Sequence, residues 1–284
     1  MGTLEGFPSP PSMSSGRHSR PSLDAIDSLS RYSPGMLVLV TGATSGFGAA
    51  IARRFAREGH RLIVSGRRAE RLEALSRELG DAVRLALPLD VRDQPAIARA
   101  ITALPADLAA IDVLVNNAGL ARGLEPAQRA SLDDWNEMVD TNVKGLMAVT
   151  RAVLPGMVAR DRGHVVNMGS TAGSWPYPGS NVYGATKAFV DQFSLNLRSD
   201  LLGTKVRVTV IDPGMAGGTE FSNVRFHGDD ARAAEFYRGA DPLTADDVAE
   251  AVHWVTTLPA RVNINTLEMM PVRQAYAGLS VSRT

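Results

Sequence analysis

Five apolar residues, M-L-V-L-V at positions 36–40, run without a polar interruption into a glycine-studded turn, T-G-A-T-S-G-F-G at 41–48, and then into a helical pattern over 49–58. This junction narrows the possible folds more than any other stretch. A strand that is apolar on both faces must be covered on both, as in a parallel sheet sandwiched between helices. Gly42, Gly46 and Gly48 permit a tight turn, a close approach of backbone N–H groups to a pyrophosphate, and tight packing of helix on strand. Thr44, Ser45 and Phe47 complete the loop. The spacing is G-x-x-x-G-x-G rather than G-x-G-x-x-G, and between a strand and a helix it predicts a dinucleotide site.

The same alternation continues. Strands are expected at 61–65, 83–89, 111–115, 163–168, 206–211 and 264–269. The helices between them open near Arg68, Asp93, Ser131 and Thr244, and one more carries residues 183–202. Seven strands joined by crossover helices predict a single-domain α/β Rossmann fold, a doubly wound parallel sheet in the order 3-2-1-4-5-6-7. With 284 residues, 44% of them hydrophobic, one large core is within reach. Residues 1–35 are rich in Ser, Pro and Gly without apolar periodicity. They read as a disordered leader, leaving 36–284 as the domain.

Composition removes several function classes. Thirty basic residues balance thirty acidic ones, so no nucleic-acid footprint and no anionic membrane partner is expected. No apolar run is long enough to cross a bilayer. Cysteine is absent, which excludes disulfides, thiolate catalysis and cysteine-ligated zinc, and the five histidines never approach ligand spacing, so no metal is expected. A soluble, cytoplasmic protein is the expectation.

Candidate residues gather at the expected strand ends. Arg67 and Arg68 stand where a carboxylate would hold the ribose 2′-hydroxyl of NAD. Two guanidinium groups instead suit a 2′-phosphate, and cations at a helix start oppose the macrodipole, so the pair points to NADP. Asp90, followed by Val91, either accepts from an adenine amino group or caps the next helix. Asn117, Ala118 and Gly119 are small enough for backbone to pass a cofactor ribose, while Asn116 is expected to brace the sheet. Pro213, Gly214 and the glycines leading to Thr219 suit a mobile loop over a nicotinamide. Residues 220–241 follow neither simple period and read as a lid. Asn142 is a poor helix former inside a helical pattern. An exposed amide of no consequence is the preferred reading from the residues alone, and a bend holding a water is the other.

The chemistry centres on Ser170, Tyr183 and Lys187. Tyr183 and Lys187 are four apart in a helical segment and so share a face. An ammonium beside a phenol lowers the phenol's pKa, and such a tyrosine exchanges a proton with an alcohol oxygen that a serine hydroxyl can hold.

Residues 41–48 and 116–119, with Asn142, Ser170, Tyr183, Lys187 and the Pro213-Gly214 pair, resemble the short-chain dehydrogenase/reductase family in order and interval, from residue 36 onward. The resemblance implies that Tyr183 is the proton donor or acceptor. Lys187 would bind the nicotinamide ribose and acidify the tyrosine, and Ser170 would orient the substrate oxygen. It also implies that Asn142 holds a water in a proton relay, which reverses the reading of that residue given above. Segments 169–177, 217–226 and 263–272 are similar to a bacterial branch that uses NADP to interconvert small 3-hydroxy acids (serine, allo-threonine, 3-hydroxypropionate) with 3-oxo acids or semialdehydes, malonic semialdehyde among them. That likeness implies a homotetramer, with Arg67 and Arg68 on the 2′-phosphate. For the substrate carboxylate the candidates are Arg225 on the lid and then Arg122, with Tyr177 as a further substrate contact. The alternatives are a 3-oxoacyl-carrier-protein reductase, a broad carbonyl reductase and, from another class, an NADP-sensing module.

Overall fold

The computed structural model describes residues 35–276. The expected leader before Met36 lies outside them, Gly35 apart. Seven strands form, β1 (Leu37–Thr41), β2 (Arg61–Gly66), β3 (Val83–Pro88), β4 (Val113–Asn116), β5 (Gly163–Met168), β6 (Val206–Pro213) and β7 (Thr266–Met269). They make one sheet in the order β3-β2-β1-β4-β5-β6-β7, every pairing parallel. The helices are α1 (Gly46–Arg57), α2 (Ala69–Leu79), α3 (Gln94–Thr102), α4 (Leu132–Val139), α5 (Leu146–Ala159), α6 (Asn181–Asp200), α7 (Phe221–Arg225), α8 (Asp230–Phe236) and α9 (Ala245–Thr257).

The continuous apolar runs are explained by two-sided burial. On one face Val38, Val40 and Val64 pack with Phe55 of α1, Leu72 of α2 and Val252 of α9. On the other, Leu39, Leu114 and Val165 pack with Ile97 of α3, Val153 and Met157 of α5 and Leu197 of α6. Because β1 pairs with both β2 and β4, the chain reverses its winding there, and the carboxyl ends of those strands open a crevice.

Four local expectations are corrected. Helix α1 begins at Gly46 rather than at residue 49. Gly48 therefore lies in its first turn, where a Cβ would meet Asn117 Nδ2 at 2.5 Å, so the missing side chain lets the helix sit on the loop. Asp93, not Asp90, caps α3, accepting from the Ala96 N–H at 2.9 Å. Asp90 instead pairs with Arg92 at 2.6 Å. The single helix expected over 131–160 is interrupted by a π-helical turn, Asp140–Gly145, between α4 and α5. The irregular lid contains two short helices, α7 and α8. Among the described residues, no helix is long and apolar enough to cross a membrane, and no group of acidic or histidine side chains is arranged to hold a metal ion.

Candidate active site

A cleft of about 270 Å³ opens off the carboxyl ends of β1 to β4. Its floor is the glycine turn. Gly42 adopts φ +65°, and a Cβ there would come within 2.9 Å of Ala118 Cα, so the first and fourth βα loops meet through backbone. Asn117 fastens them, donating from Nδ2 to the Thr41 carbonyl at 2.9 Å, while the Thr41 hydroxyl accepts from the N–H groups of Asn117 and Ala118 at 3.0 Å. Asn116 braces the sheet as expected, donating to Thr150 at 2.8 Å and Asn167 at 2.9 Å.

The walls decide what the cleft can hold. Ser45 at the head of α1 makes no side-chain cap bond, and the helix has no acidic residue in its first turn. Its N–H groups and dipole are therefore suited to an anion from outside the helix. Thr44, Ser45, Gly46, Phe47, Arg67 and Arg68 line this end, and Asp90 and Val91 flank it. Asn117, Ala118 and Gly119 line the middle, and Tyr183, Lys187 and Thr219 the far side. A helix start without its own cap, followed by two guanidinium groups at the next strand end, fits a dinucleotide with a pyrophosphate and a 2′-phosphate. Gly48, Pro213 and Gly214 do not line the cleft. Gly48 serves packing, and the Gly214 N–H donates to the Met269 carbonyl at 2.7 Å, so that loop is tied to the β7 side.

Arg68 is not free in this cleft. It donates to Thr44 Oγ1 at 3.1 Å, to Ser45 Oγ at 2.9 Å and to Glu220 Oε2 at 2.8 Å. Arg71 donates to the other oxygen of Glu220 at 2.6 Å, and these hydrogen bonds hold the Glu220 carboxyl below the usual carboxylate range. Nothing in the local pattern around Glu220 announces this, because its partners lie in the second βα unit.

Helix α6 carries Tyr183 and Lys187 on one face, each 7% exposed. Lys187 Nζ donates to the Met168 carbonyl at 2.7 Å and sits 5.9 Å from the Tyr183 ring centre. Ser170, two residues after β5, caps a short turn by accepting from the Ala172 N–H at 3.1 Å, its hydroxyl donates to the Pro213 carbonyl at 3.4 Å, and it is near enough to the Tyr183 phenol to pull its pKa down. The expected acidified phenol is corrected in sign. Burial pushes Tyr183 up to about 12, outweighing the hydrogen bond from Ser170 and the charge of Arg225 that pull it down. Burial also pushes Lys187 down to about 8, against Asp212 and Asp191.

Asn142 is buried, not exposed. Its Oδ1 accepts from the Leu120 N–H at 2.9 Å, and its Nδ2 donates to the Leu120 carbonyl at 2.8 Å and to Thr186 Oγ1 at 3.1 Å. The π-turn is the bend that aims it there. Sequence reasoning passed over Phe221, whose ring meets Tyr183 edge-on at 5.8 Å and forms an apolar wall.

The two carboxylate candidates separate. The Arg225 guanidinium lies 5.3 Å from the Tyr183 ring centre and 5.6 Å from that of Tyr177, donating to the Tyr177 hydroxyl at 2.6 Å and to the Gly123 carbonyl at 3.2 Å. Arg122 is not brought to Ser170 and Tyr183. Its charge is met by Glu137 at 2.8 Å, its Nη1 donates to the Val224 carbonyl at 2.8 Å, and it borders a separate hollow with Asn223 and His227.

The family described as short chain dehydrogenase matches residues 36–229. The chain is 65% identical over 248 residues to the NADP-dependent 3-hydroxy acid dehydrogenase YdfG of Escherichia coli (strain K12), covering 87% of this chain and 100% of that one. It is 55% identical over 249 residues to sulfoacetaldehyde reductase 2 of Chromohalobacter salexigens, covering 87% and 98%. Among solved structures, the closed form of a serine dehydrogenase complexed with NADP+ aligns with a TM-score of 0.86 at 65% identity, over 88% of this chain and 100% of that one. Serine dehydrogenase from Escherichia coli aligns with a TM-score of 0.76 at 59% identity, over 85% and 100%. Sequence order, sheet topology and these likenesses agree, and the chain belongs to the short-chain dehydrogenase family.

Proposed function

We propose that this protein is an NADP-dependent oxidoreductase that interconverts small 3-hydroxy acids with their 3-oxo acids or semialdehydes by hydride transfer. The observation that carries this reading is the Arg225 guanidinium beside the Tyr183 ring at 5.3 Å. An alcohol oxygen held at the phenol then has a carboxylate partner a short carbon chain away, as a 3-hydroxy acid requires.

NADP, when bound, supplies the hydride acceptor or donor at nicotinamide C4. The glycine turn and the start of α1 bind its pyrophosphate. Arg67 and Arg68 would bind the 2′-phosphate, Asp90 and Val91 would flank the adenine, and Thr219 would close over the amide. Ser170 holds the substrate oxygen, and Tyr183 accepts its proton during oxidation and returns it during reduction. Lys187 binds the nicotinamide ribose and favours the phenolate at the moment of transfer, offsetting the burial that otherwise keeps Tyr183 protonated. Asn142 holds the end of a relay that carries the proton outward. The enclosed site fixes the geometry and excludes bulk water.

On this reading malonic semialdehyde is a substrate in the reductive direction. The protein works as a homotetramer in the cytoplasm, with the exposed apolar side chains of Met147 and Val158 on α5 and Leu195 on α6 offering faces for assembly. Purified protein should consume NADPH with malonic semialdehyde and reduce NADP+ with serine, allo-threonine or 3-hydroxypropionate. Sulfoacetaldehyde belongs in the same panel, since a guanidinium accepts a sulfonate as well as a carboxylate. Turnover confined to an acetoacetyl thioester would reject the reading in favour of a carrier-protein reductase.

A further inference from the structure

Behind Lys187 lie two acidic residues that the proposed chemistry leaves unused. Asp191 follows Lys187 by four residues on α6, on the face that carries Tyr183. Asp212, next to the end of β6, reaches the same place from the sheet and is 4% exposed. Both converge on Gly169. A methyl group there would overlap the Asp212 carboxyl and come within 2.8 Å of Asp191 Oδ1. At Gly173 a methyl group would collide with Asp191 and lie 2.9 Å from the Ala188 backbone nitrogen. The Ser170 N–H lies close enough to pull the Asp212 pKa down, so the pair abuts the residue that holds the substrate oxygen.

Each carboxyl keeps a buried Oδ1 with no hydrogen-bond partner among the described residues. Two acceptor oxygens facing one space are satisfied when a proton lies between them. Two full charges there would repel at close range in a medium that screens poorly.

We propose that Asp191 and Asp212 form a carboxyl pair that shares one proton and, with its single remaining charge, holds the buried Lys187 as an ammonium beside Tyr183. The proposal rests on the assignment of Tyr183 and Lys187 to the reaction. On it, both acids are positioning residues that act through Lys187.

The charges balance. One net negative charge on the pair faces one positive charge on Lys187. Burial and the neighbouring Asp212 raise Asp191 to about 8; burial raises Asp212 too, against the pull of Asp191, Lys187 and the Ser170 N–H, and Glu268 on β7 adds to the rise of both. For Lys187, burial drives the pKa down, and Asp212 and then Asp191 hold it up. The sign follows: without the pair, Lys187 loses its proton at a lower pH than with it.

The test is the pH profile of kcat/KM for a hydroxy acid at saturating NADP+, measured on the wild type, Asp191→Asn, Asp212→Asn and the double variant, with thermal unfolding of each. In the double variant the alkaline limb should move about one unit or more to lower pH. A folded double variant with the wild-type limb, or one slower by the same factor at every pH, overturns the proposal, since a merely structural role does only that. Infrared difference spectra of the wild type give a second readout that needs no variant to fold. A protonated-carboxyl band should persist at about pH 7 and vanish by about pH 9, and its absence at neutral pH overturns the shared proton. Tyr183→Phe separates the two levels. Turnover in that variant removes the assignment beneath the proposal, whereas an inactive Tyr183→Phe with an unmoved limb in the double variant removes the proposal alone.

Discussion

Glu220, at the foot of α7, accepts a hydrogen bond from Arg68 Nη1 at 2.8 Å across 152 positions of sequence, and a second from Arg71 at 2.6 Å. The carboxylate thus occupies donors that a 2′-phosphate would also use. Both ion pairs are partly exposed, and such pairs contribute about 1 kcal/mol or less each. Glu220→Gln should therefore tighten NADPH binding a few-fold in a fluorescence titration. Arg68→Ala should weaken it by ten- to a hundredfold, the loss of hydrogen bonds to a charged group worth about 1.5–3 kcal/mol. NAD binding should change little in Arg68→Ala, and an equal loss for both nucleotides would refute the role.

Tyr183→Phe removes the hydroxyl that exchanges the proton and keeps the ring that packs against Phe221. A general acid–base group contributes about 10²–10⁴-fold, so kcat should fall at least that far while NADPH titrates with nearly unchanged affinity. Stopped-flow single turnovers would show whether the loss lies in the chemical step.

Arg225→Ala should raise KM for 3-hydroxypropionate by about tenfold or more, on the same 1.5–3 kcal/mol scale. KM for an uncharged alcohol such as 1-propanol should move much less. Arg225→Lys should not restore the acid, because an ammonium lacks the planar fork that stacks on Tyr177 and Tyr183. Equal effects on acid and alcohol would mean that Arg225 only supports the fold.

Gly169→Ala places a methyl group against the carboxyls of Asp212 and Asp191 and the Val210 side chain, so at least one of them must shift. Overpacking a core of this kind costs about 1–3 kcal/mol, and at this chain length each kcal/mol moves the thermal midpoint by about 2–4 °C. Calorimetry should show a fall of several degrees. A midpoint equal to the wild type would mean that the two carboxyls do not occupy this space.

What was legible in the sequence has a common cause. The sheet order follows from alternation and handedness, and the cleft from a strand running into glycines, so both lie within short windows. Ser170, Tyr183 and Lys187 were equally local, and the structure brings them together. The sign of the Tyr183 shift was not legible, because it depends on how completely α6 and the lid enclose the phenol, and spacing says nothing of enclosure. Glu220 and the Asp191–Asp212 pair escaped for a related reason, since their partners come from other βα units. The pairing of Arg122 with Glu137 was not legible either, because the two lie on different elements fifteen positions apart. Asn142 looked exposed under an α-helical period that the π-turn breaks.

That turn has a consequence for how the chain tolerates insertions and deletions. A π-helical turn carries an extra residue, so everything after it is rotated by roughly 100° from where an unbroken α-helix would put it. Leu146, Val149, Val153 and Met157 reach the core only because of that offset. Excising one residue between 140 and 145 would yield a more regular helix and a worse protein, with the apolar stripe of α5 swung off the sheet and the Asn142 amide swung away from Leu120. Within this span the number of residues is under tighter constraint than their chemistry.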